Sequence, residues 1–186
     1  MGTALRHPNG LVPVAAALTL MLAACTSPAP EPTPTSSPVA TPVFASDEEA
    51  LTAAEKAYAD YLAVSDEIAQ DGGADPERLR DVATGMALSD GLADAQRYSD
   101  AGYRGVGRST FDGIRLQSRP LGTPTQVRAY LCLDVSNTEI VDESGATVVA
   151  TPDAPRTPLE VSFEIAEEGR DLLVSDSALW DGAGVC

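Results

Sequence analysis

Residues 126–135 read Gln-Val-Arg-Ala-Tyr-Leu-Cys-Leu-Asp-Val. Val127, Ala129, Leu131, Leu133 and Val135 alternate with Gln126, Arg128, Tyr130, Cys132 and Asp134. Successive strand side chains point to opposite faces, so this alternation predicts a strand with one apolar and one polar face. The same period recurs on both sides of it. Upstream, Ile114, Leu116 and Ser118 alternate with Arg115, Gln117 and Arg119, and Pro120 to Pro124 reads as a turn. Downstream, a small hairpin spans 138–150 and turns at Glu143-Ser144-Gly145. Val161, Phe163 and Ile165 mark a further strand, Glu167-Glu168-Gly169-Arg170 a hairpin turn, and Leu172 to Ser177 the return strand. The prediction is a four-stranded antiparallel sheet with a small extra hairpin.

The residues before the sheet follow a helical period. Ser46-Asp47-Glu48-Glu49 is a capping box, whose serine caps the helix start while the glutamate reaches back. Leu51, Ala54, Tyr58, Tyr61, Leu62 and Ile68 recur at three- and four-residue steps, which predicts one long helix over 47–70. Asp71-Gly72-Gly73 ends it. Asp75-Pro76 reads as a second helix start, with Leu79, Val82, Ala83 and Met86 as its buried stripe. A third helix over Ser89–Ala101 turns Leu92, Ala95 and Tyr98 inward, and Gly102 closes it. Helices gathered first and strands afterwards predict an α+β layer rather than a parallel sheet. The long helix is expected to cross the apolar face of a curved sheet. Arg115, Arg119, Arg128, Tyr130, Cys132, Asp134 and Glu164 then share the opposite face. Within it, Arg115, Arg128, Tyr130 and Asp134 form the candidate surface cluster, with both arginines at hand to pair with the aspartate.

The N-terminal segment carries the parts of an export signal. Arg6 supplies the positive region, Leu11 to Leu22 the apolar one, and Ala23 and Ala24 the small residues before a cut. The apolar run has 12 residues and is interrupted by Pro13, against the roughly 20 that a membrane span needs. Leu22-Ala23-Ala24-Cys25 resembles a bacterial lipobox. That resemblance implies cleavage before Cys25, lipid on its sulfur, and an address on the outer face of the cytoplasmic membrane. An ordinary signal peptide cut after Ala24, leaving Cys25 a free thiol, and an uncleaved anchor remain the alternatives. Six of the 20 residues from Thr26 to Ala45 are proline. Such a segment favours polyproline II and works as a spacer, roughly 60 Å long when extended. The expected organisation is a leader at 1–24, a lipidated cysteine and linker at 25–45, and a single domain at 46–186.

Loss of residues 1–24 removes Arg6 and the only histidine, His7. It leaves 11 basic against 28 acidic residues, a net charge of −17. So acidic a chain is repelled by nucleic acid and by anionic lipid heads, which argues against a nucleic-acid partner. The mature chain has no histidine for Ser-His-Asp, Cys-His or His-zinc chemistry. No metal or cofactor motif stands out, and Asp142-Glu143-Ser144-Gly145 lacks the alternating acids of a calcium loop. With Cys25 lipidated, Cys132 and Cys186 are left as an even pair in an oxidising compartment, where a disulfide is expected.

Over about 50–180 the chain resembles actinobacterial lipoproteins with a cystatin-like cone of the nuclear-transport-factor-two superfamily. The resemblance rests on Tyr58 and Tyr61, Ala83-Thr84-Gly85, Gly102-Tyr103-Arg104-Gly105, Cys132-Leu133-Asp134-Val135-Ser136 and Asp142-Glu143-Ser144-Gly145. Asp171-Leu172-Leu173-Val174 departs from the tryptophan and basic residue usual in the last strand. Enzymes of the superfamily work inside the cone with an acid and a tyrosine, and Tyr130 and Asp134 are the candidates here. The resemblance bears on fold more than on function. A lipid anchor behind a 20-residue spacer suits a domain that finds partners in the cell envelope, so the expectation is a non-enzymatic accessory or protein-interaction domain with an envelope protein as partner. Small-molecule or lipid binding in the cone is the alternative, and a histidine-free isomerase or dehydratase the third reading.

Overall fold

Ser46 opens the first helix, α1 (Asp47–Gln70), and its hydroxyl accepts from the Glu49 backbone N–H at 3.1 Å. Glu49 reaches back past the cap residue and accepts from the N–H of Ala45 at 2.7 Å, fixing the chain where it enters the helix. The computed structural model describes residues 44–117, 126–166 and 171–186, all within one unit, Pro38–Cys186. The leader, Cys25, the spacer to residue 43, Arg119 and the turns at 120–124 and 167–170 lie outside the described residues. No described helix is long and apolar enough to cross a membrane.

α1 buries Ala50, Ala54, Ala57, Tyr58 and Ile68. Three of these are alanines at i, i+4 and i+7, so the helix backbone can approach the sheet closely. The sheet beneath it has the order β2-β3-β6-β7, all antiparallel. Its strands are β2 (Thr110–Leu116), β3 (Gln126–Asp134), β6 (Arg156–Ile165) and β7 (Leu172–Leu179). The apolar side of β3 meets that of β6 through the pairs Val127–Phe163, Ala129–Val161 and Leu131–Leu159. With Tyr58, Phe44 and Val174 they form one buried cluster. At roughly 25 cal/mol per Å² of apolar surface, each such large side chain contributes about 1.5–3 kcal/mol. The architecture is the α+β cone expected from the sequence, with helices on a curved four-stranded sheet.

A second sheet has the order β1-β4-β5, from β1 (Arg104–Gly107), β4 (Thr138–Val141) and β5 (Thr147–Val149). β4 and β5 are the small hairpin. In its turn, Asp142 Oδ1 accepts from the Ser144 N–H at 2.8 Å and the Ala146 N–H at 3.0 Å.

Three expectations need correction. The second helix is a short 3₁₀ turn, Pro76–Asp81, and Asp75 precedes it in the left-handed region (φ 47°) without a side-chain cap. Ala83 leaves helical geometry altogether and bridges to Val174 of β7. The next helix, α2 (Gly85–Ala101), starts four residues earlier than the sequence suggested. Met86 therefore belongs to its first turn, on the exposed side with Asp90 and Arg97, and is 60 % exposed instead of buried. Gly73 joins α1 to α2 so tightly that a Cβ there would lie 2.0 Å from the Ala95 carbonyl oxygen.

Candidate functional site

The expected surface cluster sits on the outer face of the four-stranded sheet. The structure links Tyr130 and Arg128 through Gln117 and Glu160 and gives Arg115 and Asp134 other partners. Arg115 donates to the carbonyl of Gly184 in the C-terminal tail. Gln117 donates to the Tyr130 hydroxyl and, at 3.0 Å, to Glu160. Glu160 also lies 3.7 Å from Arg128. The Tyr130 ring packs on Trp180, centroids 4.4 Å apart. Asp134 pairs with neither Arg115 nor Arg128. Its partner is Arg156, directly opposite on β6, at 2.9 Å. Cross-strand neighbours on one face meet most closely, and Arg156 lies at the start of β6, five residues before the alternation from Val161 that marks this strand in the sequence. Arg156 also grips both oxygens of Asp112, at 2.8 and 2.9 Å. The Asp134 carboxyl is held below its ordinary value, first by hydrogen bonds from Ser136 and then by Arg156.

The tail itself crosses this face. Cys132 and Cys186 are joined, with Cα atoms 5.1 Å apart, and Val185 is buried beside Gly113. Tyr130 and Asp134 therefore do not converge on a shared cavity. Both lie on the side of the sheet away from α1.

On the α1 side, the interior is occupied by the protein's own side chains. Tyr58 is 1 % exposed, meets Phe111 edge-on at 5.0 Å and bonds to Ser177. Leu131 and Phe163 are fully buried.

Concave space opens instead at the mouth, between the second half of α1, α2 and the three-stranded sheet. One cleft of about 260 Å³ runs between Tyr61, Leu62 and Tyr98. Another of about 310 Å³ continues past Val106, Ile140 and Val149. They share Asp66, Ala69, Tyr98 and Ser109. Asp66 accepts from the Ser109 N–H at 2.8 Å and from its hydroxyl at 2.9 Å. Burial, and then the Asp66 charge, push the Tyr98 phenol up. Burial likewise raises that of Tyr61.

Sequence reading missed this site, though a signal was present. Asp66 follows Tyr58 and Leu62 at four-residue steps. It is a carboxylate where the helical period asks for an apolar side chain.

The fold is cystatin-like. No family model matches the chain, and no curated protein does. Among solved structures, the intermembrane-space region of the chloroplast protein ARC6 superposes with a TM-score of 0.51 at 15 % identity. The match covers 69 % of this chain and 95 % of that one. A protein of Catenulispora acidiphila gives 0.46 at 13 % identity, over 72 % of this chain and 93 % of that one. Aln2 from a Streptomyces species gives 0.41 at 15 % identity, over 70 % and 89 %. At these identities the likeness to ARC6 concerns the fold alone.

Proposed function

We propose that this chain is a lipid-anchored protein of the cell envelope whose folded domain is a non-enzymatic accessory domain for an envelope protein partner. The observation that carries the non-enzymatic part is the filled interior. Tyr58, Phe111, Leu131 and Phe163 occupy the space between α1 and the sheet. Tyr130 and Asp134, the pair expected to serve catalysis, point away from it, each held by its own partners. The anchor rests on the lipobox-like Leu22-Ala23-Ala24-Cys25 and the proline-rich spacer behind it.

Crosslinking of the anchored protein in its native membranes tests this reading. One dominant envelope protein, lost when the domain is deleted behind the spacer, is the expected result. Recovery of no enriched protein counts against it. A second reading, small-molecule binding, is favoured by the two joined clefts at the mouth, which the tail and the core leave open.

A further inference from the structure

We infer that the mouth clefts bind a small organic cation with an apolar body, an amphipathic amine, through Asp66. This rests on the small-molecule reading above. The cleft walls are largely apolar, from Leu62, Val106, Ile140 and Val149. Among the described residues that line either cleft, every charged one is an acid: Asp66, Asp94 and Glu139. Asp94 is already paired with Arg97 on α2. Glu139 accepts from the Thr147 hydroxyl at 2.8 Å. Asp66 is half-buried where the two clefts join, and among the described residues it has no ion-pair partner within 4 Å. Two neutral donors from Ser109 orient it without cancelling its charge. A carboxylate in a partly desolvated, apolar recess gains most from a cation that brings its own apolar surface.

The aromatic rings point the same way. Tyr61 and Tyr98 both line the cleft that holds Asp66, and an ammonium near a tyrosine face is attracted by the ring quadrupole. An anionic ligand meets three carboxylates in these two clefts; Arg108 lines a neighbouring cleft that also reaches Asp66, without forming an ion pair with it. A neutral one leaves the Asp66 charge uncompensated. A cleft of 260–310 Å³ lies at the small end of ligand sites, which suits a short alkyl body rather than a polypeptide.

Three probes of one length separate the possibilities: hexylammonium, 1-hexanol and hexanoate, titrated by NMR into the full chain carrying Cys25→Ser. Hexylammonium is expected to bind at least about tenfold more tightly than hexanol, with shifts centred on Asp66 and Tyr98, and hexanoate not at all. Asp66→Asn keeps an acceptor for Ser109 and should bring hexylammonium down to the level of hexanol. Should that variant fold poorly, the order of the three probes on the unaltered cleft still decides. Equal binding of ammonium and alcohol overturns the cation preference while leaving the small-molecule reading intact. Absence of binding by all three overturns both.

Discussion

Tyr58 shows how one side chain ties helix to sheet. Its ring fills the interior and its hydroxyl reaches Ser177 on β7. Burial first, then the neighbouring Tyr61, push its phenol above the ordinary value of 10.0, with the Ser177 hydrogen bond acting the other way. A folded-state value above the unfolded one means stability that is fully present below pH 10 and lost as pH rises through the folded value. An absorbance titration should therefore show Tyr58 still protonated when an unfolded control is half ionised. Ionisation of Tyr58 together with that control would contradict its burial. Tyr58→Phe removes the hydroxyl but not the ring, and should cost about 1 kcal/mol in denaturant unfolding. On the outer face, Asp134 behaves in the opposite sense. Its lowered value means a contribution present above pH 3.8 and lost as pH falls through the folded value. In a carboxyl NMR titration, Ser136→Ala should move the Asp134 midpoint back up.

At the scale of elements, α1 depends on small residues where it meets the sheet. Ala50 and Ala54 are fully buried, and Ala129 of β3 is too. Ala54→Leu adds three carbons to a closed contact and should destabilise by about 1–3 kcal/mol, read from the urea midpoint with m unchanged. A variant as stable as the parent would show that the helix is free to lift. α1 and β3 were legible in the sequence because each carries one clean period over most of its length. β1 was not, since Arg-Gly-Val-Gly has neither alternation nor length. The start of β2 was hidden by a bulge between Asp112 and Arg115, which puts Phe111 out of phase with Ile114 and Leu116. Phe111 nonetheless packs on Tyr58. Met86 was misplaced because helix phase follows the true start, and tertiary contacts of the Val82–Gly85 link with β7 set that start. The site was less legible than the fold. Its clefts arise from three elements distant in sequence, and only the odd placement of Asp66 hinted at them. The tail over the outer sheet face depends on its cysteines. Closing about 55 residues by a disulfide contributes roughly 4 kcal/mol on the chain-entropy account. Cys132→Ser/Cys186→Ala should thus lower the melting temperature strongly and loosen Trp180 from Tyr130, seen as a red shift of tryptophan fluorescence.

For the whole molecule, charge and tether act together. The segment from Ser46 to Gly102 carries 14 acidic residues against four basic ones. The helical layer is thus the most negative part of the chain, and an anionic bilayer repels it. Surface charge therefore supplies no membrane affinity, and on the proposed reading all of it comes from lipid on Cys25. Each buried acyl CH₂ contributes about 0.8 kcal/mol, so two or more chains hold a protein almost permanently, while their removal leaves nothing to replace them. Cys25→Ser should accordingly move the full-length protein from the membrane fraction to the soluble one. The move should be insensitive to salt between about 0.05 and 0.5 M, a range over which electrostatic binding would be screened away. Salt-dependent release of the unmodified protein would instead make the attachment electrostatic. Continued sedimentation of Cys25→Ser with membranes would place the anchor elsewhere, in the uncleaved apolar run of Leu11 to Leu22 or in a bound envelope partner. An alkaline carbonate wash separates these two, because it strips a partner-held protein and spares an embedded one.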